Sequence, residues 1–159
     1  MQAQISEYKS TSMTWWVLKN LGLLILLFNA FYAASQGGLY GNSAVLVLAQ
    51  LVMLTGALTS IVHYFALKHA NPNISKPEGL VSEFGLFRLV RHPMYFGDSL
   101  LCVGLILMVP SLISVFLALF ISLAVWRLCI AEDFAMQSRF GPDFERWFQK
   151  TKRLIPLVF

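Results

Sequence analysis

The chain has 159 residues, of which 57% are hydrophobic and 13% charged, and its mean hydropathy is +0.66. Soluble domains carry about 25% charged residues, and one domain of this length cannot hide so much apolar surface from water, so membrane insertion is the simpler account. The formal net charge of +4 raises the question of nucleic acid, but the basic residues are scattered among apolar stretches, which argues for anionic lipid headgroups and against a nucleic-acid partner.

The pattern predicts an all-α integral membrane protein, a single domain over residues 1–159 with about four transmembrane helices. The first expected span covers residues 14–34, with Leu21 to Leu27 at its centre, and the second covers residues 43–67. Each is long enough for a hydrocarbon core of about 30 Å. The first is expected to stay as a span and not to be cleaved as a signal peptide, because its apolar region is long and Glu7 precedes it. Asn71-Pro72-Asn73 and Lys76-Pro77-Glu78-Gly79 mark an irregular connector. It contains the glycosylation pattern Asn73-Ile74-Ser75, read as meaningless on the cytoplasmic side.

Arg91-His92-Pro93-Met94-Tyr95-Phe96-Gly97 then gathers a cation, an imidazole, a proline suited to a first helical turn and a phenol at the mouth of an apolar run. From Ser99 to Ala131 that run is interrupted only by Pro110-Ser111 and Arg127. A single helix over it would be about 50 Å long, too much for one crossing. The expectation is therefore a helical hairpin turning near Pro110, with spans at residues 93–109 and 112–131. Asp98 near the start of the first arm suits the helix dipole as a cap, and as an ionisable group entering the membrane it is also a functional candidate.

The loop at residues 35–42 and the Pro110 turn contain no charged residue. Lys and Arg fall in the N-terminal segment, the Lys68–Arg91 connection, Arg127 and the C-terminal segment, which four spans would place on one side, the cytoplasmic one. Both termini and residues 68–97 and 132–156 are expected there. Between Glu132 and Pro156 the chain is amphipathic: Phe134, Phe140, Phe144, Trp147 and Phe148 give one apolar face, and Gly141-Pro142 breaks it into two short helices. Glu132 and Asp133 stand together where the fourth span ends, a costly pairing of like charges that Arg127 could compensate. Cys102 and Cys129 read as space-filling residues. His63, His69 and His92 have no ligand spacing, so no metal is expected.

Two stretches, Gly85-Leu86-Phe87-Arg88-Leu89-Val90-Arg91-His92-Pro93-Met94-Tyr95-Phe96-Gly97 and Glu132-Asp133-Phe134 through Phe140-Gly141, Phe144, Trp147 and Arg153-Leu154-Ile155-Pro156, resemble the isoprenylcysteine carboxyl methyltransferase and phospholipid methyltransferase superfamily. The resemblance covers about half the chain, with both motifs in the expected order. It implies a membrane enzyme that uses S-adenosylmethionine, bound at the cytoplasmic face between the His-Pro-x-Tyr region and the tail. By motif, His92 and Tyr95 hold the cofactor, Gly97 allows close approach, Glu132 holds the polar end and Arg153 closes the pocket. Arg91 joins the cofactor-binding set or anchors to headgroups, and Glu132 and Arg153 are the catalytic candidates. The sequence departs from the family pattern at Leu86-Phe87, at Asp133 for a second glutamate and at Thr151-Lys152. The implied acceptor is lipophilic: an isoprenylcysteine-like carboxylate, a phospholipid amine or a small thiol. Two other classes remain open from the residues, a nicotinamide-dependent sterol or enone reductase with a related His-Pro-x-Tyr turn, and a non-catalytic four-span protein.

Overall fold

The computed structural model describes residues 2–39, 41–74 and 77–156, with side chains from residue 12 onward. Ser75 and Lys76 of the connector lie outside the described residues. The described chain is helical: α1 (Gln2–Ser35), α2 (Ser43–Ala70), α3 (Pro93–Met108), α4 (Leu112–Phe140) and α5 (Pro142–Lys150), with a single 3-10 turn at Gly85–Arg88. Three segments, Ser12–Ser35 within α1, α2 and α4, are long and apolar enough to cross a membrane. The third expected span is α3, which at 16 residues is about 24 Å long.

Local chemistry explains the boundaries. Asn42 begins α2, its side-chain oxygen accepting from the Ala44 and Val45 amides at 3.0 and 3.3 Å. Ser111 does the same for α4 through the Ser114 amide at 3.1 Å. Pro93 opens α3, where its missing N–H costs nothing. One expectation is corrected here: the tail does not begin as a separate short helix. α4 runs without a break from the apolar stretch through Phe140, because nothing before Gly141 interrupts its hydrogen-bond ladder. Gly141 then takes φ +51, and Pro142 starts α5.

The most extensive packing joins α2 to α3 and α1 to α4, while α3 and α4, although consecutive, touch less. Small residues set the first pair. A Cβ on Gly97 would lie 2.6 Å from the Gly56 carbonyl oxygen, and one on Gly104 would lie 2.8 Å from that of Ala49, so the backbones meet as only glycine permits. Leu26 of α1 and Ile121, Val125 and Leu128 of α4 form the core with Leu105 and Cys102 of α3. Cys102 and Cys129 are both buried and unpaired. Outside, Leu24, Phe28, Phe31, Leu51, Phe65, Phe116 and Leu119 are all more than half exposed, a surface suited to lipid.

Candidate active site

The segment before α3 and the tail after α5 run side by side. The Arg91 amide donates to the Lys152 carbonyl at 2.9 Å, the Lys152 amide to that of Leu89 at 2.8 Å, and the His92 amide to that of Arg153 at 3.2 Å. This short parallel pairing brings together residues some sixty positions apart at the end of α4 that carries Glu132 and Asp133.

Asp133 is the hub. Its Oδ1 accepts from Arg91 Nε at 3.2 Å and His92 Nε2 at 2.9 Å, and its Oδ2 accepts from Arg153 Nε at 3.0 Å. Arg91 is fixed further by the Thr151 and Phe148 carbonyls at 2.7 and 3.2 Å, and its guanidinium lies 4.0 Å from the Phe148 ring centroid. Arg153 packs over Trp126. Arg127, the cation that the sequence offers to compensate the acidic pair, instead lies over Trp15. It sits six positions before Asp133 on a 3.6-residue helix, which turns the two side chains to different faces. Arg91 and Arg153, together with the His92 imidazole, are brought by tertiary structure to take its place.

Glu132, the neighbour, has different surroundings. It accepts from the Tyr95 hydroxyl, and its Oε2 lies 3.3 Å from His92 Nδ1 with 43% of its side chain exposed. His92 is thus held between two carboxylates, with its ring stacked on that of Tyr95 at a centroid separation of 5.9 Å. Burial works against the imidazolium, but the hydrogen bonds and charges of Asp133 and Glu132 outweigh it and raise the His92 pKa above its ordinary 6.5.

These groups border a cavity of about 60 Å³, with Arg91, His92, Tyr95, Glu132 and Asp133 on the polar side and Phe87, Met136, Phe144 and Trp147 among the apolar walls. Trp147 is fixed by its indole N–H, which donates to the Phe87 carbonyl at 2.9 Å. Of the residues singled out from sequence, Arg91, His92, Tyr95 and Glu132 meet at this cavity. Arg153 stands behind it, on the far oxygen of Asp133. Gly97 is elsewhere: it faces Gly56 and Ser60 at the α2–α3 crossing, so its missing side chain serves helix packing. Asp98 is also reassigned. It pairs with Lys19 of α1 and accepts from Ser60 Oγ at 3.2 Å, in place of acting as a helix cap. Lys19, buried in the first span and 5.1 Å from the Tyr95 ring centroid, carried no sequence signal beyond being a cation among apolar residues.

An all-helical chain with lipid-suited faces and a charged cluster at one helix end belongs with the integral-membrane methyltransferases by its sequence family. The family described as phospholipid methyltransferase matches residues 43–143, more than half of the chain, and the protein belongs to it. No curated protein and no solved structure matches the chain.

Proposed function

We propose that this protein transfers a methyl group from S-adenosylmethionine to a lipophilic acceptor at the membrane surface. The observation that carries the reading is Glu132, a carboxylate facing the cavity beside Tyr95 and His92 in a chain of the phospholipid methyltransferase family. That family favours a phospholipid amine over an isoprenylcysteine-like carboxylate or a small thiol.

The donor set suits the cofactor. It brings an electrophilic methyl on a cationic sulfur, together with an ammonium, a carboxylate and an adenine. Glu132 is the accessible carboxylate for an ammonium, and Tyr95, whose ring is already met by His92 and Lys19, holds that carboxylate through its hydroxyl. Arg91 and Arg153 are spent on Asp133, so their part is to hold the tail against the α3 start and keep Glu132 in place. His92 bonds both carboxylates and orients them, and their pull raises its pKa above the ordinary 6.5. Such alignment suffices for much of the task, since holding reactants in line can remove up to about 7–11 kcal/mol of barrier. The 60 Å³ cavity is below the roughly 300–1,000 Å³ of preformed ligand sites, so side chains such as Met136 must move to admit a ligand of this size.

We further read the protein as crossing the membrane four times, with α3 as a short span accommodated by tilt or local thinning. Both termini and the cavity then lie on the cytoplasmic side, as the distribution of Lys and Arg supports. A labelling reporter at Asn42 reacts from outside in that topology, and reaction from the cytoplasm overturns it.

Calorimetry of S-adenosylmethionine with detergent-purified protein tests the activity. Saturable binding that Tyr95→Ala and Glu132→Gln weaken supports it. No binding at millimolar cofactor by folded protein, or a clear preference for reduced nicotinamide, overturns it.

A further inference from the structure

A second, larger hollow lies on the outer face of α2. It is a groove of about 560 Å³ lined by Val62, Phe65, Ala66, His69, Val81 and Phe84 among others, and almost wholly apolar. We propose that this groove holds one acyl chain of the phospholipid acceptor, whose headgroup reaches the cavity past Val81. The inference rests on the methyltransferase reading and adds the acceptor's binding site and route of entry.

Val81 lines both the groove and the cavity, so the two adjoin at the connector. The wall is also built. His63, buried on α2, receives the Leu86 amide on Nε2 at 3.0 Å, and its Nδ1 lies 2.7 Å from the Thr59 carbonyl, a pair of bonds that sets the Nδ1-protonated tautomer. Its ring meets Phe84 and Phe87 edge-on at 5.9 and 5.4 Å. Phe84 belongs to the groove and Phe87 to the cavity. Gly85, at φ +49, lets the chain pass between them where a Cβ would come within 2.8 Å of His63 Nε2. Asn71 fastens the other end of the connector, accepting from the Glu78 and Gly79 amides at 2.7 and 2.9 Å.

The groove follows α2 from Ala70 back to Ile61, a rise of about 13 Å from the helix end nearest the cavity. That is close to one leaflet, half of a core of about 30 Å. A chain descending from a headgroup at the cavity therefore stays beside the groove for most of its length.

The test uses full-length protein in phosphatidylcholine nanodiscs with trace phosphatidylethanolamine carrying a diazirine and an alkyne midway along one acyl chain. After irradiation, adducts on residues 61–69 and 81–84 are expected to exceed those on Phe116 and Leu119, on the outward face of α4, several-fold. Ala66→Trp is expected to remove the excess. Equal labelling of both faces, or an equal excess for a choline-headed probe, overturns the proposal. In the same preparation, Ala66→Trp should raise KM for dipalmitoyl relative to dihexanoyl phosphatidylethanolamine about tenfold, the effect of displacing two methylenes. Methyl transfer to the short lipid without a groove excess overturns the groove and leaves the methyltransferase reading standing. A groove excess with transfer to neither lipid overturns the acceptor reading and the assigned occupant with it.

Discussion

Asp133 and Glu132 are adjacent on α4, yet their surroundings differ as much as any two regions of this molecule. Asp133 is buried and its two oxygens take Arg91, His92 and Arg153 as partners, which tie α4, the start of α3 and the tail into one unit. Glu132 is half open, faces the cavity and is met by one hydroxyl and one edge of an imidazole. One carboxylate is engaged in holding the structure and the other retains capacity for a ligand. The lesson is that an acidic pair in sequence is not a pair in function: the helix turns the two side chains about 100° apart, and each meets a different part of the fold.

Removing the structural member should have the largest effect. Asp133→Asn leaves Arg91 and Arg153 facing a neutral amide, and breaking a buried pair from one side costs about 3–5 kcal/mol. Denaturation in detergent should show that loss, and a change below about 1 kcal/mol would erase the contrast. Next is Gly97→Ala, whose Cβ would approach the Gly56 carbonyl oxygen to 2.6 Å. Overpacking of this kind costs about 1–3 kcal/mol. Lower stability with unchanged affinity for S-adenosylmethionine in the remaining folded protein is expected, whereas lost affinity at full stability would return Gly97 to the cofactor site.

Glu132→Gln should leave stability within about 1 kcal/mol and weaken cofactor binding at least about tenfold, the size of one charge-assisted hydrogen bond. Titration of calorimetric affinity against that variant gives the comparison directly. The smallest effect concerns His92, whose pKa in the folded protein is raised above the 6.5 of the free group. A raised pKa contributes stability that is complete below pH 6.5 and is lost as pH rises through the folded value. The melting temperature of the wild type relative to His92→Gln should fall across that upward window. A difference that grows as pH rises would reverse the sign and remove Asp133 and Glu132 as the partners that charge the ring.

Much of the architecture was legible in the chain. Asn42, Ser111, Pro93 and Gly141 are local signals, and each marks a helix boundary where the residues alone would place it. The meeting of Arg91, His92, Tyr95 and Glu132 at one cavity was suggested by motif resemblance, since nothing local relates positions so far apart. Arg127 and Asp98 show why the rest was not legible. Nearness along the chain made Arg127 look like a partner for Asp133 and the α3 terminus look sufficient for Asp98. Their actual partners, Trp15 in one case and Lys19 with Ser60 in the other, come from other helices.

Composition and periodicity by themselves determined that this protein is helical and rich in lipid-suited surface, because burial of apolar side chains and backbone hydrogen bonding act within each segment. Tertiary structure alone decided which helices pair, that Gly97 serves packing, and that Asp133 carries the clamp while Glu132 stays open to the cavity. Those outcomes depend on which side chains from distant segments come within a few ångströms of one another, and charge compensation and steric fit are set only at that distance.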